Sequence, residues 1–486
     1  MNLAYYLFEY SKNLDKDIII GDKECISYKD LWGKIVLISS YISEYRNEKI
    51  GLMADNSIFF VAAYFSIIKS GNTVVTFSPQ SSEKGIMGII MKTDMKLVFV
   101  QEKYEKSFIG IKKINEKEYL EIKVSEKSLS EFGETNPDDV AVLIFTSGST
   151  GDQKGVMQTH ENIIENTKSI IEYLEIKEKD IQLVVLPFSY CFGSSLLHTH
   201  IRQGASIVLN NTFALTNTVI DDLIKYKCTA FSGVPSHYQI LLRKSKFKDT
   251  AFPDLRYMTQ AGGNLPVHYI KEIRKSHPNT PFIVMYGQTE ATARLSYLPF
   301  GFLGEKLGSI GKGIPGVELK VVNEKGESVK PGEPGEITAR GKNIMKGYYK
   351  DEEGTSNVIK NGYLYTGDIA TVDEDGFIFI KSREKHIIKS AGNRISPKEI
   401  ENVLSEMDEI INSVVIGVED DLLGEVPKAI VAVKNKKITV KDVDSYCRQR
   451  LATYKVPKYV EIVDSIPLTP SGKTDTSKIV ELYGRK

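Results

Sequence analysis

The chain has 486 residues, enough for roughly three domains or one large domain plus a smaller one. Sixty-three Lys and Arg balance 63 Asp and Glu, so the formal net charge is +0, and 26% charged with 41% hydrophobic residues is ordinary globular usage. That balance argues against a nucleic-acid binder with a basic excess, and long-range electrostatics nominate no partner. Cys25, Cys191, Cys228 and Cys447 lie far apart with no C-x-x-C spacing, which suggests neither a zinc knuckle nor a disulfide framework. The start lacks a basic segment, an uninterrupted apolar run and a small-residue cleavage site, so it does not read as a signal peptide. The longest uncharged stretches are 56–68, too short to span a bilayer, and 181–201, interrupted by Pro187 and Gly193. The expectation is a cytoplasmic protein.

From the N-terminus to about residue 290, β-branched runs alternate with segments of helical period. Ser27 reads as an N-cap with Asp30 three residues on, followed by Leu31, Ile35, Ile38, Ile42 and Tyr45 on one helical face. Strands are predicted at 50–54, 73–77, 97–100, 140–145, 183–186, 206–209, 257–261 and 282–286. Helices are predicted at 58–69, 162–174, 235–244 and 266–277. Such alternation predicts largely parallel sheets covered by helices. After residue 305, Gly- and Pro-rich turns separate short alternating strands, which reads as a small antiparallel, barrel-like β unit over about 305–382. Near Ser382 the texture changes again: a helix opened by Ser396-Pro397 runs through Leu404, strands follow at 414–418 and 429–433, and a helix at 440–451. The predicted division is a large α/β domain, 1–382, and a smaller α+β domain, 383–486.

The strongest local feature follows the strand at 140–145: Thr146, Ser147, Gly148, Ser149, Thr150, Gly151, Asp152, Gln153, Lys154, Gly155 and Val156. Its glycines let backbone N–H groups close around phosphate oxygens, its hydroxyls add donors, and Lys154 adds charge. By composition alone it also fits a Gly/Ser linker. It is not a Walker A loop, because Gly155 stands where that frame needs Ser or Thr.

Together with Tyr286-Gly287-Gln288-Thr289-Glu290, Tyr365-Thr366-Gly367-Asp368, the segment from Arg383 to Lys389, and the frame Pro467 to Lys473, this loop resembles the adenylate-forming superfamily. That superfamily includes acyl- and aryl-CoA synthetases, nonribosomal adenylation domains and beetle luciferases. The five motifs span 146–473 in register.

The resemblance implies a carboxylic acid activated by ATP with Mg²⁺ to an acyl-adenylate, with pyrophosphate released. The acyl group then passes to a thiol, of CoA or of a phosphopantetheinyl carrier protein supplied in trans. It makes Lys473 the lysine bridging carboxylate and α-phosphate, although a loop lysine by itself is ordinarily a solvated charge. Thr476 stands where the frame commonly carries arginine. Glu290 is implied as the Mg²⁺ ligand, Tyr286 as a face for adenine, Thr289 as a phosphate contact, and Asp368 and Arg383 as the ribose pair. Gly262, Gly263, Gly287 and Gln288 join the nucleotide set. Lys385 is implied as the hinge, often Asp in the family. Lys389 and the segment Ser390, Ala391 and Gly392 are implied for the thiol approach.

For the acid pocket, the resemblance places Cys191 where amino-acid-activating members carry an aspartate. A thiol cannot balance a buried ammonium, which argues against an α-amino acid. Tyr190, Ser195, Thr259, Ala261, Met285, Ala293 and Arg294 are further wall candidates by offset. Arg294 suits a second carboxylate, phosphate or hydroxyl-rich group on the substrate, or else it caps a helix or binds phosphate outside the pocket. A short, aromatic or functionalised acid is favoured over a long-chain fatty acid. Alternatives are amino-acid adenylation for a carrier, a non-catalytic nucleotide sensor on the same fold and, more remotely, a luciferase-like oxygenase.

Overall fold

The computed structural model describes residues 1–123, 135–147, 153–383, 387–391, 393–420, 422–434, 438–469 and 471–485. Two large sheets form its body. In the first, Lys112–Ile114, Leu97–Val100, Lys49–Met53, Thr73–Thr76 and Val140–Ser147 run parallel, and Gln153–Thr159 returns antiparallel beside the last of them. In the second, Asp17–Ile20, Ser206–Leu209, Ile181–Val184, Ala230–Gly233, Tyr257–Gln260 and Phe282–Tyr286 are parallel neighbours, with antiparallel strands at both edges. The alternation read from the sequence therefore yields the parallel architecture it predicts.

One apolar core joins the two sheets through the helices between them. Ile58–Lys69 is buried at every residue except Ile58. This is the pattern of a helix with neighbours on all sides. Each of Phe60, Phe65, Ile67 and Ile68 contributes about 1.5–3 kcal/mol by leaving water. Ser57 caps its start by accepting from the Phe60 N–H, and Gly71 follows its end with φ +77°. Ser27 caps Tyr28–Tyr41 through the Asp30 N–H, as its motif predicts.

The stretch read as interrupted at Pro187 and Gly193 contains a regular helix, Cys191–Gln203. Gly193 is what permits it: a β-carbon there would lie 2.1 Å from the Pro187 carbonyl oxygen, so the first turn presses directly on the strand exit.

The antiparallel unit consists of Val317–Val322, Gly335–Gly341, Tyr363–Val372, Ile359–Lys360 and Ile378–Arg383. It is not self-contained, because Gly347–Tyr348 leaves it to extend the first large sheet beside Gln153–Thr159. The C-terminal part is built on Ile410–Asp420 and Gly424–Val433, flanked by Tyr459–Val463 and the hairpin Ile388–Ser390 with Asn393–Ile395. Ala429, Val431 and Val433 face one core and Ile430 and Ala432 the other, so the apolar run is continuous. This part docks on the second large sheet's helices through Tyr269, whose hydroxyl donates to the carbonyls of Ile410 (3.3 Å) and Ile411 (2.7 Å). Among the described residues no helix is long and apolar enough to cross a membrane.

Burial holds four histidines neutral: His160 and His200 are pushed down to about 4, His198 and His237 to about 3. The unfolded chain protonates them near 6.5, so folded stability is complete above that value and is lost as pH falls towards 4. Each group contributes up to about 1.4 kcal/mol per pH unit within that window. Urea unfolding at pH 7.0 and 5.5 is expected to show a loss of about 3–5 kcal/mol at the lower pH; an unchanged midpoint would contradict the neutral assignment.

Candidate active site

The hairpin Val140–Ser147 and Gln153–Thr159 carries the Gly/Ser motif at its tip. Gly148, Ser149, Thr150 and Gly151 lie outside the described residues, as do Lys385 and Gly392. Thr146 and Lys154 are register partners across the hairpin, and the Thr146 hydroxyl donates to the Lys154 carbonyl at 3.4 Å. The Lys154 ammonium stands 4.5 Å from the centre of the Tyr348 ring, and the Tyr348 hydroxyl donates to Glu290 Oε1 at 2.9 Å. Burial and the neighbouring Glu290 carboxylate push that phenol well above its ordinary value, so it remains a donor. One tyrosine thus connects Lys154 with Glu290 of the Tyr286–Glu290 motif. Sequence reading did not single it out, and its only local signal is an aromatic pair after Gly347.

The strand Phe282–Tyr286 ends at Gly287, where a β-carbon would meet the Ala293 carbonyl oxygen at 2.0 Å. Only glycine lets the following segment fold back so closely. The return is made at Thr292, with φ 65° and ψ −66°, and the Ala293 N–H reaches the Ala291 carbonyl at 2.8 Å. This is a strained γ-turn. Buried amides hold it. Gln158 donates to the carbonyls of Thr289 (3.0 Å) and Thr292 (3.1 Å), Asn343 to those of Ala291 (3.3 Å) and Arg294 (2.9 Å), and Asn166 to that of Arg294 (3.0 Å). The Thr292 hydroxyl completes the clamp by donating to the Asn343 carbonyl at 2.7 Å.

Tyr286 and Asp368 are brought together, the phenol donating to Asp368 Oδ2 at 2.7 Å. Arg383 is the backbone register partner of Asp368 on the adjacent strand. Gly367 precedes it with φ +74°. Both members of the pair read as ribose contacts therefore lie at neighbouring positions.

Lys473 arrives from the C-terminal part. A β-carbon on Gly262 would stand 2.8 Å from Lys473 Cε and 3.6 Å from Nζ, and Gly262 has φ +86°. The Ser236 hydroxyl donates to the Gly472 carbonyl and anchors the loop. The Gly263 carbonyl accepts from the Gln260 side chain at 2.8 Å. Lys389 is exposed, and its backbone N–H goes to Glu425 within the C-terminal part at 2.8 Å. Ser390 is buried on that sheet, and Ala391 turns with φ 45° and donates its N–H to the Leu423 carbonyl. This arrangement sets Lys473 rather than Lys389 against the Gly262 turn.

Among the acid-pocket candidates, Tyr190 and Cys191 open the helix Cys191–Gln203 and are partly exposed. Burial raises the Tyr190 phenol, with the Ser78 hydroxyl beside it. Cys191 Sγ lies 3.6 Å from the Thr289 hydroxyl, which links this helix to the Tyr286–Glu290 motif. Met285, Ala261 and Ala293 are buried, and Met285 Sδ accepts from the Tyr173 hydroxyl at 3.0 Å. Two offset-based candidates are turned to structural partners. Ser195 donates to the Phe192 carbonyl at 2.7 Å, and Thr259 donates to the Ser232 hydroxyl at 2.8 Å. Arg294 is buried against Phe192, with its guanidinium 4.0 Å from the ring centre.

Among the described residues no group of three or more His, Cys, Asp or Glu side chains is placed to hold a metal. A magnesium ion here would rest on Glu290 with ligand oxygens, a donor set suited to a hard cation that keeps substrate and water ligands. A surface cleft of about 960 Å³ lies elsewhere, lined by Glu24, Cys25, Lys34 and Tyr119, and contains none of these motif residues.

Residues 9–349 match the family described as AMP-binding enzyme, and 399–473 match the AMP-binding enzyme C-terminal domain. A feruloyl-CoA synthase of Amycolatopsis is 34% identical over 71% of this chain and 70% of its own length. A long-chain-fatty-acid–CoA ligase of Escherichia coli O157:H7 is 28% identical over 96% of this chain and 92% of its own. The o-succinylbenzoate CoA synthetase of Bacillus subtilis, solved with its acyl-adenylate intermediate, superposes with a TM-score of 0.88 at 25% identity, covering 98% of this chain and 97% of that one.

The amide clamp is directly testable. Asn343→Ala removes two buried donors from the carbonyls of Ala291 and Arg294, and is expected to cost about 2–4 kcal/mol in urea unfolding. A change under about 0.5 kcal/mol would show that the turn is held without it.

Proposed function

The chain belongs to the AMP-binding enzyme family, and from that premise we propose that it is an AMP-forming ligase joining a carboxylic acid to the thiol of coenzyme A. The observation that carries this reading is the seating of Lys473 against Gly262, beside the turn that follows Tyr257–Gln260. In the first half-reaction a substrate carboxylate oxygen attacks the α-phosphorus of ATP. The bond between that phosphorus and the oxygen bridging it to the β-phosphate breaks, and pyrophosphate leaves. Two anions must approach, and an ammonium between them lowers their repulsion and the charge of the in-line transition state.

Lys473 supplies that ammonium. The loop 146–154 surrounds the phosphates, Thr289 adds a hydroxyl, and Gly262, Gly263, Gly287 and Gln288 border the nucleotide. Tyr286 presents its ring to adenine, while Asp368 and Arg383 hold the ribose. Glu290, oriented by Tyr348, would hold Mg²⁺, whose charge would offset that of the phosphates.

In the second half-reaction the thiol sulfur attacks the acyl carbonyl, the bond to the AMP phosphate oxygen breaks, and the thiol proton passes to solvent. Lys473 must leave first. The segment from residue 383 onward turns about Lys385 and brings Lys389, Ser390, Ala391 and Gly392 to the thiol's path. The names of the relatives support coenzyme A as acceptor; a holo-carrier protein offers the same thiol, and adding each acceptor separately identifies the one used. An α-amino acid is disfavoured, because Cys191 offers no charge to its ammonium and the Arg294 cation lies close by.

Lys473→Ala should lower acid-dependent ATP–pyrophosphate exchange by roughly 10²–10³-fold, while thioester formation from supplied acyl-adenylate stays within a few-fold. Lys389→Ala should do the reverse. Equal damage to both steps by both variants would remove the two-conformation account.

A further inference from the structure

Arg294 is 2% exposed, and none of the ion pairs among the described residues includes it. Nη1 donates to the Ala293 carbonyl at 3.1 Å, the Tyr173 hydroxyl lies against the guanidinium, and the Phe192 ring covers one face. Its buried Nε has no acceptor. A guanidinium without a counter-charge is costly to bury, and removing the unfulfilled charge would ordinarily stabilise a protein. The fold nevertheless fixes its base firmly, since Asn166 and Asn343 both hold the Arg294 carbonyl next to the strained turn at Thr292.

A second feature points to an anion in the same place. The thirteen-residue helix Cys191–Gln203 begins at Tyr190 without a side-chain cap, and its first residues, Cys191 and Phe192, are those that meet the Arg294 side chain. Uncapped N–H groups and a guanidinium therefore meet at the start of one helix. Beside them Tyr173 stacks on Tyr297 at 4.2 Å and its hydroxyl donates to Met285 Sδ. The nucleotide-side cations, Lys154 and Lys473, sit with Tyr348 and Gly262 instead.

We infer that the acid carries a second carboxylate at its far end, and that Arg294 is the specificity-determining residue that receives it while the first carboxylate is activated. This rests on the ligase reading above. The planar guanidinium matches a carboxylate through two parallel N–H donors, and the bound anion supplies the acceptor that Nε lacks.

Matched acids test it: valerate with glutarate, hexanoate with adipate, and benzoate with terephthalate, each with the full chain, ATP, Mg²⁺ and coenzyme A. In at least one pair the diacid should show kcat/KM at least about tenfold above the monoacid. Arg294→Met and Arg294→Gln should lower the diacid value by about 10–100-fold, mainly through KM, with a loss on the monoacid at least about tenfold smaller and no rise in KM for ATP. Arg294→Met should also keep or raise the ligand-free Tm, which shows that the variant folds.

Equal or better use of the monoacid in every pair overturns the inference. So does an equal loss on both acids, or a rise in KM for ATP, which would place a phosphate on the guanidinium. Should no acid release pyrophosphate, the ligase reading fails by itself. The arginine is then read by heat: a diacid-induced rise in Tm in the wild type, absent in Arg294→Met, supports it, and no rise overturns it.

Discussion

The arrangement depends on a single close approach: the Lys473 side chain lies where a β-carbon on Gly262 would come within 2.8 Å of its Cε. Any other residue at 262 would both oppose φ +86° and occupy the lysine's path. The approach is possible because the C-terminal part is tied down nearby, by Ser236 on the Gly472 carbonyl and by Tyr269 on the carbonyls of Ile410 and Ile411. Both ties are hydrogen bonds from a hydroxyl of the body to a backbone carbonyl of the C-terminal part.

A second constraint lies in the segment from Tyr286 to Leu295. It leaves a parallel sheet, turns through the strained geometry at Thr292 and returns so that the Leu295 N–H pairs with the Tyr286 carbonyl at 2.8 Å. Strain of this kind persists where surrounding groups over-determine it. Here Gln158 comes from the first sheet, Asn166 from a helix between the sheets, and Asn343 from the antiparallel unit. Three parts of the fold thus meet on one loop. That loop carries Glu290 to Tyr348 and Arg294 to Phe192, so the same clamp positions both side chains.

The motifs and the β/α alternation were legible in the sequence because both are local: strand and helix periods fall within a few residues, and the glycine and hydroxyl pattern is contiguous. The helix Cys191–Gln203 was not, because Pro187 and Gly193 act as breakers by themselves, and only the strand beneath explains why glycine is needed there. Tyr348, Gln158, Asn166 and Asn343 escaped for another reason. Each is an ordinary polar or aromatic residue whose value lies in a partner far along the chain, which no local pattern records. Offsets from motifs nominated Cys191, which the structure sets beside Thr289, and Arg294, which it sets beside Phe192, and they also nominated Ser195 and Thr259, whose hydroxyls serve the fold. Spacing locates a backbone position but does not say where its side chain is directed.

The most direct measurement is a crystal structure of the full chain with Mg²⁺ and an ATP analogue that resists cleavage between the α- and β-phosphates. The analogue's α-phosphate is expected beside Gly262, with Lys473 Nζ at about 2.7–3.2 Å from one of its oxygens. A fully bound analogue with that ammonium directed into solvent would contradict it.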